Sequence, residues 1–399
     1  MLESEINNEK SENSLPRAAW ILFIACVLTI TGLSLLSPVL PSIVRELHGS
    51  PMEISMLYTS YNAMMAVAML ITGAVSTRLG IKKTLMLGIV FIGIFSTIAG
   101  LSNDILSIIA CRSIWGVGNA LFFATGFISI ILLADKASTK AIVLYESAVG
   151  IGTALGPLIG GILGSFSWRF SLIGIGVLMI FVLILIFVGI PNIKEKDTDE
   201  YKRPSSLKEP FKAMKNRQIA VIGLGTLLYN FGFFSLIMYS PLIMDVSPLQ
   251  LGIIFLLWGV LLALSSYFMA PVLKRKYGSI KAMRYLLFIF AILLAIMAIF
   301  TENTLIMSIA IIIAGSFVGN MNSLLSNAIM DSSPLKKSTT SASYNFIRFI
   351  SCAVAPFATA MIGQYIAKNG PFIVAAIFMI VTIIVFYLNR EYITVKTAE

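Results

Sequence analysis

The sequence predicts an all-α membrane protein, with twelve transmembrane helices in two six-helix bundles related by a parallel repeat. Three observations carry this. The 399 residues are 58% hydrophobic and 12% charged, with a mean hydropathy of +0.92, whereas a water-soluble domain carries about 25% charged residues. Apolar runs long enough to cross about 30 Å of hydrocarbon recur along the whole chain. Motifs of the first half also return in the second at a nearly constant shift.

The runs place spans at 18–44, 53–77, 84–102, 104–133, 140–165, 168–190, 217–245, 249–273, 282–301, 303–330, 338–367 and 369–389. Lipid offers backbone groups no partners, so these segments are helices. A barrel would need alternating strands of about ten residues, and no such pattern is present. The tail 1–17 holds Glu3, Glu5, Glu9 and Glu12 and lacks the basic start and small-residue cleavage site of a signal peptide, so the first span is expected to remain as an anchor.

Most of the 29 lysines and arginines fall on the side that holds both termini, and only Arg45, Arg169 and Lys368 fall opposite. The positive-inside rule then puts both termini in the cytoplasm of a multi-pass cell-membrane protein. This asymmetry accounts for the net charge of +10, which is therefore not a nucleic-acid signature. Cys26, Cys111 and Cys352 all lie within spans without a pairing pattern and read as packing residues.

The polar segment 191–216, dense in charge, divides the spans six and six and reads as a cytoplasmic linker between an 18–190 bundle and a 217–390 bundle, followed by a 391–399 tail. The repeat supports this division. GAVSTRLGIKK (73–83) aligns with PVLKRKYGSIK (271–281) at a shift of 198, GVGN (116–119) with FVGN (317–320) at 201, and LYESAVGIGTALGPLIGGILG (144–164) with SYNFIRFISCAVAPFATAMIG (343–363) at 199. Parallel six-helix repeats are one architecture for alternating access to a site at the membrane midplane.

GIGTALGPLIGG (150–161) concentrates glycine and proline inside an apolar span. Gly152, Gly156 and Gly160 share one helix face, with Gly161 beside it, and such faces let a neighbouring helix come close. Pro157 removes a backbone donor. Together they are expected to form a tight, bendable seam, with the partner helix in the other half.

Charges at lipid depth are costly and so mark function. Arg112, Arg348 and Glu146 lie well inside spans, and Glu146 is the only acid clearly so placed; Glu53, Asp245, Asp135 and Asp331 sit at span ends. A desolvated carboxyl near an arginine suits proton coupling because burial raises its pKa and the cation lowers it. These three residues are the proton-coupling candidates. The alternative for Arg112 is a structural clamp on span 1. Tyr58, Tyr61, Asn62, Trp115, Asn119, Tyr229, Asn230, Trp258, Asn320 and Asn322 supply the polar and aromatic groups for a substrate cavity, although aromatics in spans also serve as packing.

GAVSTRLGIKK resembles the loop signature between the second and third spans of the major facilitator superfamily. CRSIWGVGNA (111–120) resembles its fourth-span signature, with Arg112 in the arginine position, and GIGTALGPLIGG resembles the fifth-span signature of its proton-coupled exporters. The resemblance implies a secondary active transporter, a proton:drug or proton:metabolite antiporter that exports amphipathic small molecules. In the first of these segments Gly73 and Gly80 permit a tight turn, and Arg78, Lys82 and Lys83 can bond helix-end carbonyls or Asp135 in one state and release in the other, a conformational latch; Thr77 stands where the family usually has an acid, and the alternative is that these cations only set topology. Two arginines against one glutamate inside spans tilt the substrate towards neutral or anionic compounds, a siderophore for example. A proton-coupled importer and a nontransporting sensor of the same fold are the alternatives. An enzyme is disfavoured, since His48 is the only histidine and there is no nucleotide loop. The expected partners are the bilayer, protons and a small molecule, with no cofactor, metal or nucleic acid, and the chain is expected to be a monomer.

Overall fold

The computed structural model describes residues 16–134, 138–192, 212–333 and 337–393. Twelve helices are long and apolar enough to span a bilayer. In the first half they are α1 Arg17–Leu47, α2 Pro51–Leu79, α3 Ile81–Leu101, α4 Ile105–Ala134, α5 Ser138–Phe166 and α6 Trp168–Gly189. In the second they are α7 Arg217–Ile243, α8 Pro248–Tyr277, α9 Ser279–Ile299, α10 Thr304–Ser332, α11 Lys337–Tyr365 and α12 Gly370–Leu388, followed by a short α13, Arg390–Ile393.

Helix starts and turns repeat between the halves. Ser50 and Glu53 form a capping box at the start of α2, and Ser247 and Gln250 form one at the start of α8. Asp104 accepts a hydrogen bond from the Ser107 amide at the start of α4, as Asn303 does from Ile306 at the start of α10. A single residue joins α2 to α3 and α8 to α9: Gly80, with φ +85°, and Gly278, with φ +73°. A side chain is strained in that region and glycine is not. Gly73 lies inside α2 rather than at the turn, so Gly80 alone makes it.

The registers also locate two irregularities. The capping boxes of α2 and α8 are 197 residues apart and their terminal glycines 198. The π-helical turn Ser265–Met269 in α8 takes up the extra residue. A second π-turn, Ser235–Tyr239, interrupts α7 just before Pro241. At the matching depth of α1 a 3₁₀ turn, Ser37–Val39, precedes Pro41.

One sequence alignment needs correction. GVGN and FVGN match at 201, but Gly116 packs on the Tyr61 carbonyl and Gly315 on the equivalent Trp258 carbonyl, a shift of 199 that the Asp104 and Asn303 caps share. Backbone contact, not residue identity, sets the register.

Within the first half, α4 packs on α2 and α3, α3 on α6, and α1 on α5; between halves the main seams are α5 with α8 and α2 with α11. The contacts of the α5–α8 seam run from the ends opposite the termini to mid-depth. Gly161 lies against Pro248 and Gly252, Gly259 against Ala154, and Gly150 against Ala263. The tips of α1 and α7 also meet on that far side, around a small crevice lined by Pro41, Val44, Arg45, Leu242 and Asp245.

Candidate functional site

Arg112 is the most deeply enclosed charge among the described residues, with 1% of its surface exposed. Its position follows from Gly116, one turn further along α4. A Cβ there would overlap the Tyr61 carbonyl, so its absence brings α4 against the backbone of α2. The guanidinium then lies over the rings of Tyr61 and Trp115, at 4.5 and 4.4 Å, and its Nε donates to the Leu57 carbonyl at 3.4 Å. Two faces of aromatic negative potential and a carbonyl replace part of its hydration. The clamp is therefore made on α2, not on the first span.

The shell remains incomplete. Arg112 Nη1, Trp115 Nε1 and Asn119 Oδ1 are buried without a hydrogen-bond partner, although Asn119 donates to the Tyr61 hydroxyl through Nδ2. No carboxylate forms an ion pair with Arg112 among the described residues. An uncompensated guanidinium with a spare donor at lipid depth is costly to maintain. It is suited to receiving an acceptor or an anion.

The α2–α11 seam runs beside this cage. Thr59 Oγ1 donates to the Ala353 carbonyl at 2.8 Å. Tyr58 shares a 3.1 Å hydrogen bond with Ser37, and its ring meets Phe234 of the other half edge-on at 5.8 Å. Arg348 is half-buried on α11, the helix that packs on α2 across this seam. Glu146 lies on α5, and its side chain, like Asp135, falls outside the described residues.

Of the other cavity candidates, Tyr61, Asn62, Trp115, Asn119, Tyr229, Asn230, Trp258 and Asn320 are buried among helices, and only Tyr58 and Asn322 retain partial exposure. The buried ones pack in this state: Asn62 and Asn320 donate to carbonyls of their own helices, Asn230 to Ser351, and Tyr229 to Val318 at 3.5 Å. Thr59, Ser37, Phe234 and Ser351 also shape the site, and hydropathy gave no signal for them because Ser, Thr and Phe are ordinary span residues.

The glycine face divides between two neighbours. Gly152 packs on Val27 and Ile30, Gly156 on Thr31 and Ser34, and Gly160 on Leu35, all of α1 in the same half. Gly161, with Gly150 at the start of the motif, faces the other half, so the expected partner is corrected for the first three. Their backbones approach where a Cβ would have no room. Pro157 is accommodated within a continuous α5, and its carbonyl lies against Gly252 of α8.

In the latch segment, Lys82 donates to the Phe187 carbonyl at 2.7 Å and lies over the Phe187 ring. It thereby caps the negative end of α6. Arg78 and Lys83 are exposed. In the second half, Lys274 of α8 pairs with Asp331 of α10 at 2.7 Å and donates to Asn327.

The Major Facilitator Superfamily profile matches residues 22–356 and 245–398. The chain belongs to this superfamily. It is a multi-pass membrane transporter of small molecules, not an enzyme. It is 36% identical to the Multidrug efflux protein YfmO of Bacillus subtilis, over 98% of this chain and 97% of that one. It is 24% identical to an uncharacterized transporter of the superfamily from Methanocaldococcus jannaschii, over 94% and 99%. Among solved structures, a bacterial homolog of the human lysosomal transporter Spinster superposes with a TM-score of 0.79 at 15% identity, covering 95% of this transporter and 98% of that chain. A D-xylose-proton symporter superposes with 0.76 at 12%, covering 96% and 98%. At these identities the superpositions establish the fold alone.

Proposed function

We propose that the transporter exports amphipathic small molecules, neutral or anionic, in exchange for protons. It works by alternating access across a cell membrane, as a monomer with both termini in the cytoplasm. The kinship with a multidrug efflux protein along nearly the whole chain is the observation that carries this reading. With the termini inside, the contacts from the far side to mid-depth leave the halves closed towards the exterior, the state in which an exporter loads. The incompletely bonded Arg112 supports an acceptor-bearing or anionic substrate over a strongly cationic one. Glu146 is the proton carrier in this scheme, and residues 191–216 tether the two bundles.

The test uses purified protein in liposomes with a pH-sensitive dye. Carboxylate metabolites, neutral drugs and amphipathic cations are added in turn to wild type, Glu146→Gln and Arg112→Gln. A carboxylate or neutral compound should release protons from wild type and not from Glu146→Gln. Arg112→Gln should weaken anion transport by at least about tenfold, the worth of one buried charged hydrogen bond. Transport that ignores pH in wild type overturns proton exchange, and selective transport of cations overturns the substrate assignment.

A further inference from the structure

We propose that the transporter binds an anionic phospholipid in the groove between α9 and α12, with the lipid phosphate held by Arg284 and Arg390 at the membrane boundary on the side of the termini. The site lies far from the mid-depth cage. Its foundation is a convergence of charge. Arg284, in the second turn of α9, has its Cζ 5.2 Å from the centre of the Tyr387 ring, and Arg390, at the start of α13, has its Cζ 4.8 Å from the same ring. Two guanidinium groups that share one aromatic ring make a local excess of positive charge that attracts an anion. Among the described residues no carboxylate forms an ion pair with either. Glu391, the only acid on these three helices, is exposed.

Arg390 is held in place, although it follows the last span. Its neighbours on both sides dock on the bundle: Tyr392 stacks on Arg217 at the start of α7, with the arginine Cζ 3.6 Å from the ring centre, Asn389 accepts from Arg217 Nη2 at 3.2 Å, and Ile393 is buried. Arg390 is therefore a positioned cation at the ring that Arg284 also meets, and two guanidinium groups there suit phosphate oxygens.

The surface that continues into the membrane fits acyl chains. From Arg284, the exposed face of α9 runs through Phe288, Ile292 and Ile296; from Tyr387, that of α12 runs through Ile384, Ile380, Ile377 and Ile373. The two helices pack side by side, so these stripes border one shallow apolar groove that ends at the arginines. Tyr277 and Tyr285, stacked edge-on at 5.7 Å, mark the headgroup depth beside it. A phosphate next to two long apolar stripes describes a phospholipid. The absence of a facing carboxylate among the described residues, which would bind an ammonium headgroup, favours an anionic one.

The full-length protein is purified in detergent, incubated with an equal mixture of phosphatidylglycerol and phosphatidylcholine, and weighed intact by native mass spectrometry. Wild type should retain phosphatidylglycerol in preference. Arg284→Gln and Arg390→Gln should each reduce that preference by about fivefold, and the double variant by about 25-fold, at the usual worth of a basic residue near an anionic surface. Lys276→Gln, on the exposed end of α8, is the control and should leave it intact. If the double variant fails to fold, the two single variants decide the matter. Equal retention of both lipids by wild type, or an undiminished preference in the single variants, overturns the site. Displacement by inorganic phosphate as effective as by phosphatidylglycerol shows a free-anion site and overturns the lipid.

Discussion

The two halves solve one packing problem in two ways. Where α5 meets α1, Gly152 faces Ile30, Gly160 faces Leu35 and Gly164 faces Val39. At the equivalent positions, where α11 meets α7, Ser351 accepts from Asn230, Thr359 and Ser235 share a 3.4 Å hydrogen bond, and Gly363 lies under the Tyr239 ring. At these positions the first seam is glycine backbone against the backbone and side chains of α1, and the second is a short ladder of buried polar side chains. A glycine face gains stability from close contact alone, and a polar ladder from bonds that lipid cannot replace. The repeat therefore preserves the position of each contact while allowing its chemistry to change.

The largest effect is expected from exchanging that chemistry. Gly160→Thr places a Cβ in overlap with the Leu35 carbonyl and should cost at least about 3 kcal/mol, the upper range of overpacking. The reverse change, Thr359→Gly, removes a buried hydroxyl and a methyl group and should cost about 1–2 kcal/mol. Thermal melting of both variants in detergent decides between them, and a Gly160→Thr protein that melts like wild type would break the comparison. Next in size, Ser351→Ala leaves the Asn230 amide without its acceptor and should lose about 1 kcal/mol, whereas Ser351→Thr should retain most of it. Equal melting of the two would remove the hydrogen bond from the account.

The far-side clasps also repeat, and one of them, at Lys368, carries the smallest effect expected. Arg169 donates to Asn103, and Lys368, at the same shift of 199, to Glu302. Arg169 additionally binds the Ser102 carbonyl at 2.6 Å and Glu46, which accepts from Trp168. The Lys368–Glu302 pair is largely exposed. Lys368→Gln should therefore move stability by less than about 0.5 kcal/mol. Arg169→Gln should cost about 1–2 kcal/mol, since it leaves a carbonyl acceptor unpaired. Melting of both in low and high salt orders them, and only the lysine variant should converge on wild type as salt rises.

Much of this fold was legible in the sequence, because a helix that must cross lipid announces itself in composition. The near-constant shift revealed the repeat, but identity of short words misplaced α4 on α10 by two residues; the glycines that touch backbone, Gly116 and Gly315, carry the true register. The four-residue spacing in α5 stated that a helix comes close, and could not state which one, since α1 and α8 both pack on α5. The high cost of burying Arg112 singled it out, while its partners, a carbonyl and two ring faces, have no sequence pattern. The far-side clasps went unseen because charged residues in short loops look alike whether paired or not.

The α5–α8 contact has a mechanical consequence. At Gly161 and Gly252, and again at Ala154 and Gly259, two helices touch with almost nothing larger than a methyl group between them. Such a contact is a narrow bearing rather than a toothed one, over which one body can roll without side chains unlocking. A helix of 29 residues is about 44 Å long, so its tips stand about 22 Å from its middle and a roll of about 10° moves each by about 4 Å. Opposite tips move in opposite directions, so in the proposed cycle a single roll at this seam would widen one end of the interface as it narrows the other.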